Sequence, residues 1–300
     1  MPKIKIAAVL PYFLRLENGD YPSHIDKKSY LLTLQDTSSE GNNPAQEKRS
    51  QVSSIFDGNT TSDDEVQLLK IQEVEKLLQQ TNRLLRWYRA STGRAEVTEL
   101  THAQASPFQF SSVQDEENGS SVWIEPITFE ASPLPFASGQ TVASLTQTVR
   151  VGLIEKGDPE VSKLFLLDAE QSLRAGRFRE TVLFCWSAID STFDQKYKAL
   201  AASVIKNKAD YNSFVNFRDA TMRYRMSAGL HFCTGQSLYD QPELWVNLFT
   251  SYTKRNSIIH DGASAQETDA ELALLAAQQV IEFLRALKPK PQSTGNETLT

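Results

Sequence analysis

The sequence predicts an α+β N-terminal domain followed by an all-α antiparallel helical bundle. In the first half, short stretches of alternating apolar and polar residues surround one long helical pattern. After residue 158, apolar residues recur at helical spacing, and the short connections favour antiparallel neighbours. The predicted divisions are a mixed α+β domain over residues 1–157, the bundle over residues 158–290 and a polar, disordered tail over residues 291–300.

The first domain combines predicted strands with one helix. The segments that alternate, or are rich in strand-forming residues, are Lys3–Leu16, Ser29–Asp36, Glu96–His102, Phe108–Val113 and Val122–Glu130. The polar segment Thr37–Ser54 is typical of a loop. A long helix is predicted to begin after Ser62, which has Glu65 at capping-box spacing, and to end at Gly93. A segment rich in Pro, Ser and Gly, Ala131–Gln140, precedes the domain boundary near Gly157.

The second domain contains five predicted helices. The first has Asp158 as its N-cap and Pro159 in its first position, and it ends at Gly176. The other four are Phe178 to about Ala202, Tyr211–Leu230, Glu243 to about His260, and Ala270–Leu287.

Composition narrows the class of protein. The 300 residues are 40% hydrophobic and 23% charged, and no run approaches the roughly 18 apolar residues of a membrane span. The N-terminus lacks the pattern of a signal peptide, and Cys185 and Cys233 lie far apart in apolar sequence. We therefore expect a cytoplasmic protein with reduced thiols and no membrane contact. The four histidines are scattered, so no metal or other cofactor is expected.

The charge distribution favours the second half for any contact with nucleic acid. The formal net charge is −6, which argues against indiscriminate binding of nucleic acid by the whole surface. Residues 1–150 carry 14 basic and 19 acidic residues, whereas residues 151–300 carry 17 and 18. A local basic patch therefore fits only the second half.

The motif that carries chemistry lies at the end of the fourth predicted helix. Residues 254–262 read Lys-Arg-Asn-Ser-Ile-Ile-His-Asp-Gly. Asn256 and His260 are four residues apart and share one helix face, whereas Arg255 lies about 140° around the axis from His260. Only the long side chain of Arg255, or a second subunit, brings its guanidinium near the imidazole.

This segment resembles the Arg-x4-His motif of HEPN-domain proteins. The likeness includes Asn256 after the arginine, the apolar pair before His260 and Gly262 just beyond it. Leu173–Glu180 and Ser187–Asp190 are similar to the earlier helices of that fold. The resemblance covers about Asp158–Leu287 and implies a HEPN-like bundle; it does not extend to the first domain.

The resemblance implies a metal-independent endoribonuclease with Arg255 and His260 as its principal catalytic residues. Asn256 would orient the histidine or a phosphate, and Asp190 would hold Arg255. The family also implies an RNA substrate, a homodimer formed through the bundle, and a role in anti-phage defence or a toxin–antitoxin system. An antitoxin or phage protein would then bind the first domain, which would act as a sensor or regulatory surface. Some toxins of the family carry a modified tyrosine two residues past the histidine; here that residue is Gly262, so the same neutralisation is not expected.

Other interpretations of these residues stay open. Arg255 and His260 also fit a positively charged helix C-terminus, and Asp190 also fits a purely structural acid. Arg218, Arg223 and Arg225 fit either a solvated helix face or an RNA contact. His231 is interpreted as a core or loop residue. The tryptophans are interpreted as packing residues: Trp87, Trp123, Trp186 and Trp245.

Two other functions compete with the ribonuclease. One is a non-catalytic module that dimerises or binds RNA or protein through the bundle. The other, a hydrolase or transferase in the first domain, finds no nucleophile–base constellation in the sequence.

Overall fold

The computed structural model describes residues 3–25, 28–37, 49–57, 63–105, 108–112, 141–155, 157–216 and 221–291. The chain divides into two compact units, Met1–Glu160 and Val161–Thr300. The first contains a five-stranded antiparallel sheet, and the second is mostly helical. The coarse fold class predicted from the sequence is therefore correct.

The sheet of the first unit has the strand order β2-β3-β4-β1-β5, and every neighbouring pair is antiparallel. Its strands are β1 (Lys3–Val9), β2 (Gly19–Ile25), β3 (Lys28–Thr37), β4 (Arg49–Asp57) and β5 (Gln109–Ser112). Alternate residues such as Leu32 and Leu34 are buried, while their neighbours face outward. The described residues of this unit also form the helices α1 (Asp63–Thr92), α2 (His102–Ala105) and α3 (Val142–Glu155). The buried sheet face shares one core with α1 and α3.

Helices α1 and α3 approach closely at Gly152. A Cβ atom added there would clash with the ring carbons of Trp87 in α1. Glycine is therefore required at this position for close packing, not for its backbone conformation.

The predicted strand Glu96–His102 is wrong. This segment has no strand structure and leads into α2. Its backbone groups bind side chains instead: Leu100 N–H donates to Asn82 Oδ1 at 2.6 Å, and Leu100 O accepts from Asn82 Nδ2 at 2.9 Å. Because those groups are satisfied locally, they are not available for a sheet ladder.

Several other predictions for this unit can be compared with the structure. Strands β1, β3 and β5 and helix α1 lie where the patterns placed them, although β1 ends at Val9, and Gly93 follows α1 with a φ of 70°. The predicted loop Thr37–Ser54 is wrong from residue 49 onward, where β4 begins. Strand β2 and helix α3 were not predicted. The capping residue Ser62, the predicted strand Val122–Glu130 and the segment Ala131–Gln140 lie outside the described residues.

The second unit is built mainly from four longer helices, α4 (Val161–Arg174), α5 (Phe178–Val204), α9 (Pro242–Asp261) and α10 (Glu267–Ala286). Between α5 and α9 lie α6 (Lys208–Val215), α7 (Met222–Tyr224), a π-helical turn (Arg225–Gly229), α8 (Leu230–Thr234) and a 3-10 turn (Leu238–Asp240). Side chains from α5, α8, α9 and α10 form one continuous core. Among its largest buried members are Trp186, Ile189 and Phe193 of α5.

Two helix predictions for this unit need correction. Asp158 is not an N-cap, because α4 begins at Val161; its carboxylate instead lies 3.9 Å from Arg83 Nε and 3.5 Å from Arg86 Nη1. Tyr211–Leu230 is not one helix, because Thr221 caps a new one by accepting a hydrogen bond from Tyr224 N–H at 3.2 Å. Arg218 and residues 292–300 of the predicted tail lie outside the described residues.

In the described part of the chain, no helix is both long enough and apolar enough to cross a bilayer.

Candidate active site

Helix α9 positions three of the four predicted site residues. It begins with Pro242 in its first turn, where the missing N–H costs nothing, and Gly262 ends it with a φ of 65°. Ala263 N–H then donates back to the carbonyl of Ser257 at 3.1 Å. Arg255, Asn256 and His260 thus occupy the last two turns of a sharply terminated helix.

Arg255 interacts with Asn256 directly and with Asp190 through its charge. Its Nη1 donates a hydrogen bond to Asn256 Oδ1 at 3.0 Å, and its charge acts on the carboxylate of Asp190 in α5. The bond to its neighbour fixes one edge of the half-buried guanidinium. The structure therefore links Arg255 to Asn256 by a hydrogen bond, which the sequence did not predict, and to Asp190 by charge.

Asp190 is an unusually placed carboxyl group. Burial raises its pKa above the ordinary value of 3.8, and the positive charge of Arg255 opposes this rise without cancelling it. Its Oδ1 atom is buried and has no hydrogen-bond partner within the described ranges. Burying an ionised carboxylate in this way lowers the free energy of unfolding more than an acid on the surface would. Buried acids with a raised pKa are typical of functional sites.

A contact between α5 and α9 precedes this pair by one turn on each helix. Trp186 Nε1 donates to Ser251 Oγ at 2.9 Å, and both residues are buried. Trp186 lies four residues before Asp190, and Ser251 lies four before Arg255, so each pair shares a helix face. The buried hydrogen bond thereby fixes the spacing of α5 and α9 at the level of Trp186 and Ser251.

His260 stands apart from this cluster. Its side chain is exposed in the last turn of α9, and no contact joins it to Arg255, Asn256 or Asp190 among the residues that the structure describes. Five residues correspond to about 7.5 Å along the axis and about 140° around it, which explains the separation. A single chain in this conformation does not bring the imidazole to the guanidinium.

The sequence interpretation missed a second feature of this unit, an aromatic groove. We define it by Arg223, Ser227, His231, Phe232, Tyr239 and Trp245, which line a cavity of about 630 Å³. His231 is exposed and not part of the core, and Trp245 faces the groove. The sequence signals were the recurrence of aromatic residues between 232 and 245 and the basic cluster that contains Arg223, but no local pattern joins the two.

Replacement of Asp190 by asparagine is expected to stabilise the second unit at neutral pH. Because the folded state holds the Asp190 proton more tightly than the unfolded state, the free energy of unfolding falls as pH rises from about 3.8 through the raised pKa. Asparagine removes this titration, so its advantage should shrink as pH falls towards 4. Urea denaturation at several pH values measures the effect.

The matched control for this experiment is Asp194→Asn, one turn further along α5. Asp194 is exposed and pairs with Lys198 at 2.7 Å, so its replacement should not add stability. An Asp190→Asn variant that is less stable than wild type at neutral pH would contradict the assigned pKa shift.

Comparison of the chain with protein-family models, with curated proteins and with solved structures gives no match in any of the three. Across the described ranges, no three His, Cys, Asp or Glu side chains cluster in a way that suits a metal ion. The functional assignment therefore rests on the chemistry of the site residues themselves.

Proposed function

We propose that the second unit is a HEPN-like, metal-independent endoribonuclease in which Arg255 and His260 carry the chemistry. The observation that supports this most directly is the interaction of Arg255 with Asn256 and with Asp190 of α5, on the same helix that carries the exposed His260. An arginine that only interacts with the helix dipole does not require a hydrogen bond to a side-chain amide or an interaction with a buried acid.

The reaction is an internal transfer at phosphorus. The 2′-oxygen of RNA forms a bond to phosphorus while the bond to the 5′-oxygen breaks. The base takes the proton from the 2′-hydroxyl, and an acid gives a proton to the leaving 5′-oxygen. An imidazole exchanges protons near neutral pH and suits either role. The products carry a 2′,3′-cyclic phosphate and a 5′-hydroxyl.

The remaining site residues would stabilise the negative charge that develops on the phosphate in the transition state. Arg255 offers its fork of N–H donors to the equatorial oxygens of the transition state. Asn256 and Asp190 act as positioning residues that restrict the guanidinium. Because one chain keeps His260 apart from Arg255, we propose a homodimer in which the site is completed by a second chain.

The biological setting belongs to the same proposal. A ribonuclease of this type would act in the cytoplasm in anti-phage defence or as the toxin of a toxin–antitoxin pair. The first unit would then sense or bind the regulating protein.

The test is cleavage of a 5′-labelled RNA by the purified full chain in EDTA. We expect fragments that end in a 2′,3′-cyclic phosphate, and no cleavage of the same strand with 2′-deoxyribose throughout. A His260→Ala preparation purified in parallel controls for contaminating ribonuclease. Equal cleavage by both preparations, or cleavage of the deoxy strand, would refute the proposal.

One observation favours the alternative, a non-catalytic dimerisation or RNA/protein-binding module: His260 does not reach Arg255 within one chain. This alternative predicts no cleavage by wild type and unchanged RNA binding by His260→Ala. The same two preparations therefore separate the two functions.

A further inference from the structure

The aromatic groove presents ring faces that a folded chain normally buries. Phe232 is 52% exposed and Tyr239 is 65% exposed, while Trp245 meets Tyr239 edge to face with their centroids 5.3 Å apart. Phe232 packs on Phe214 and Trp245 packs on Phe249, while Tyr239 is held through its contact with Trp245. The exposed rings are therefore held in place as surfaces, a condition that favours stacking of a flat ligand.

Arg223 adds a positive charge at this groove. Its guanidinium lies 4.6 Å from the ring centroid of Phe249 and 5.8 Å from that of Trp245. Its N–H groups have no hydrogen-bond acceptor in the described part of the chain. A guanidinium that is stacked on one face and keeps its donors free suits a phosphate oxygen. The exposed His231 lies on the same groove.

A π-helical turn shapes the groove wall that carries Ser227. This turn, Arg225–Gly229, widens the helix, and such turns occur frequently at functional sites. The turn packs closely against Tyr197 at Gly229, where an added Cβ would lie 2.7 Å from the hydroxyl oxygen of Tyr197. Tyr197 is itself stacked between Phe193 and Phe214. The wall is therefore part of the packed core and not a loose loop.

From these contacts we infer that the aromatic groove binds single-stranded RNA, with an unpaired base stacked on the exposed ring of Tyr239 and the adjacent phosphate on Arg223. The identity of the strand as RNA rests on the proposed function. The distance fits one continuous substrate, because Trp245 and Arg255 lie on the same helix about 15 Å apart along its axis. That span corresponds to a few nucleotides, so the groove would hold the strand upstream or downstream of the cleaved bond.

Single-stranded RNA fits these features better than the other occupants. A duplex keeps its bases stacked on one another, so the rings would have no base face to contact. An acidic peptide would offer carboxylates to Arg223, but it would offer a flat ring only where its sequence happens to include an aromatic residue. A strand of RNA supplies a ring and a phosphate at every residue.

The test measures binding without cleavage. The probe is a fluorescein-labelled RNA of about ten nucleotides, fully 2′-O-methylated so that no 2′-hydroxyl is available for reaction. We expect Tyr239→Ala and Arg223→Gln each to raise its dissociation constant about tenfold in fluorescence anisotropy. The matched control is Tyr224→Ala, since Tyr224 is 52% exposed but does not line the groove.

The outcomes separate this inference from the proposed function. Three results together support the groove, whether or not RNA is cut. Both groove variants bind the single-stranded probe more weakly, Tyr224→Ala binds it as wild type does, and wild type does not bind a duplex of the same sequence. Equal affinities for wild type and Tyr239→Ala would overturn it, even if the protein cleaves RNA in EDTA. Tight binding of an acidic aromatic peptide that Tyr239→Ala abolishes, with RNA binding unchanged in the same variant, would overturn it as well.

Discussion

Replacement of His260 by alanine is expected to lower the rate of RNA cleavage by about 100-fold or more, with no loss of folding stability. The rate falls because the imidazole is the group proposed to move protons at neutral pH. Stability should stay within about 0.5 kcal/mol of wild type, because the side chain is exposed and no contact of it is seen in the described part of the chain. Cleavage in EDTA and urea denaturation of the same preparation measure the two effects.

The matched control is His102→Ala. His102 is also exposed, and its contact with Glu75, at 2.7 Å, lies in the first unit. This variant should keep full cleavage activity. An active His260→Ala enzyme, or an inactive His102→Ala enzyme, would count against the assignment of the catalytic histidine.

Arg255→Gln is expected to give a similar loss of cleavage but a different effect on stability. Removing the guanidinium takes away the charge that favours ionised Asp190, so the pKa of Asp190 should rise further. The free energy of unfolding at neutral pH should then fall, which it does not in His260→Ala. The difference in stability between the two variants distinguishes Arg255, whose charge acts on a buried acid, from His260, which is exposed.

Mixing the two inactive variants tests whether one site uses two chains. In a mixed dimer of Arg255→Gln and His260→Ala, a site built from Arg255 of one chain and His260 of the other is intact once. An equal mixture should then regain about one quarter of wild-type activity. No recovery, despite proven exchange of subunits, would mean that both residues must come from the same chain.

Replacement of Trp186 by alanine is expected to cost about 3–5 kcal/mol of folding free energy in the second unit. The indole is only 2% exposed, packs on Tyr252 with centroids 5.0 Å apart and donates to Ser251 Oγ. Truncation therefore removes a large buried ring and leaves a buried hydroxyl without its donor. Urea denaturation followed by circular dichroism measures the loss, with exposed Leu275→Ala of α10 as the control.

The hydrogen bond can be separated from the ring. Ser251→Ala leaves the buried indole N–H unpaired and should cost about 1–3 kcal/mol, while Trp186→Phe keeps most of the ring. A double-mutant cycle between these two changes gives the coupling of the pair. If Trp186→Ala left stability within error of wild type, the contact between α5 and α9 would not fix the spacing described above.

Local patterns predicted the long helices because their signals lie within a few residues. Helices α1, α5 and α9 carry clear apolar periodicity, and Gly93, Gly176 and Gly262, predicted to end helices, all have positive φ. Prediction failed where distant side chains decide the backbone. Asn82 holds Leu100 out of a strand, and strand β2 exists because β3 pairs with it.

The sequence alone determined the two-part character of the chain, the approximate positions of its main helices and the spacing of Arg255, Asn256 and His260 on one of them. Helical periodicity and capping depend on neighbours within about one turn, so they can be recognised in the amino-acid sequence itself. Only the tertiary structure decided that Asp190 is buried where the charge of Arg255 acts on it, that His260 stands apart, and that Arg223, Phe232, Tyr239 and Trp245 line one groove. Asp190 and Arg255 are far apart in the chain, and the groove residues come from separate short elements, so both arrangements depend on how a whole core packs.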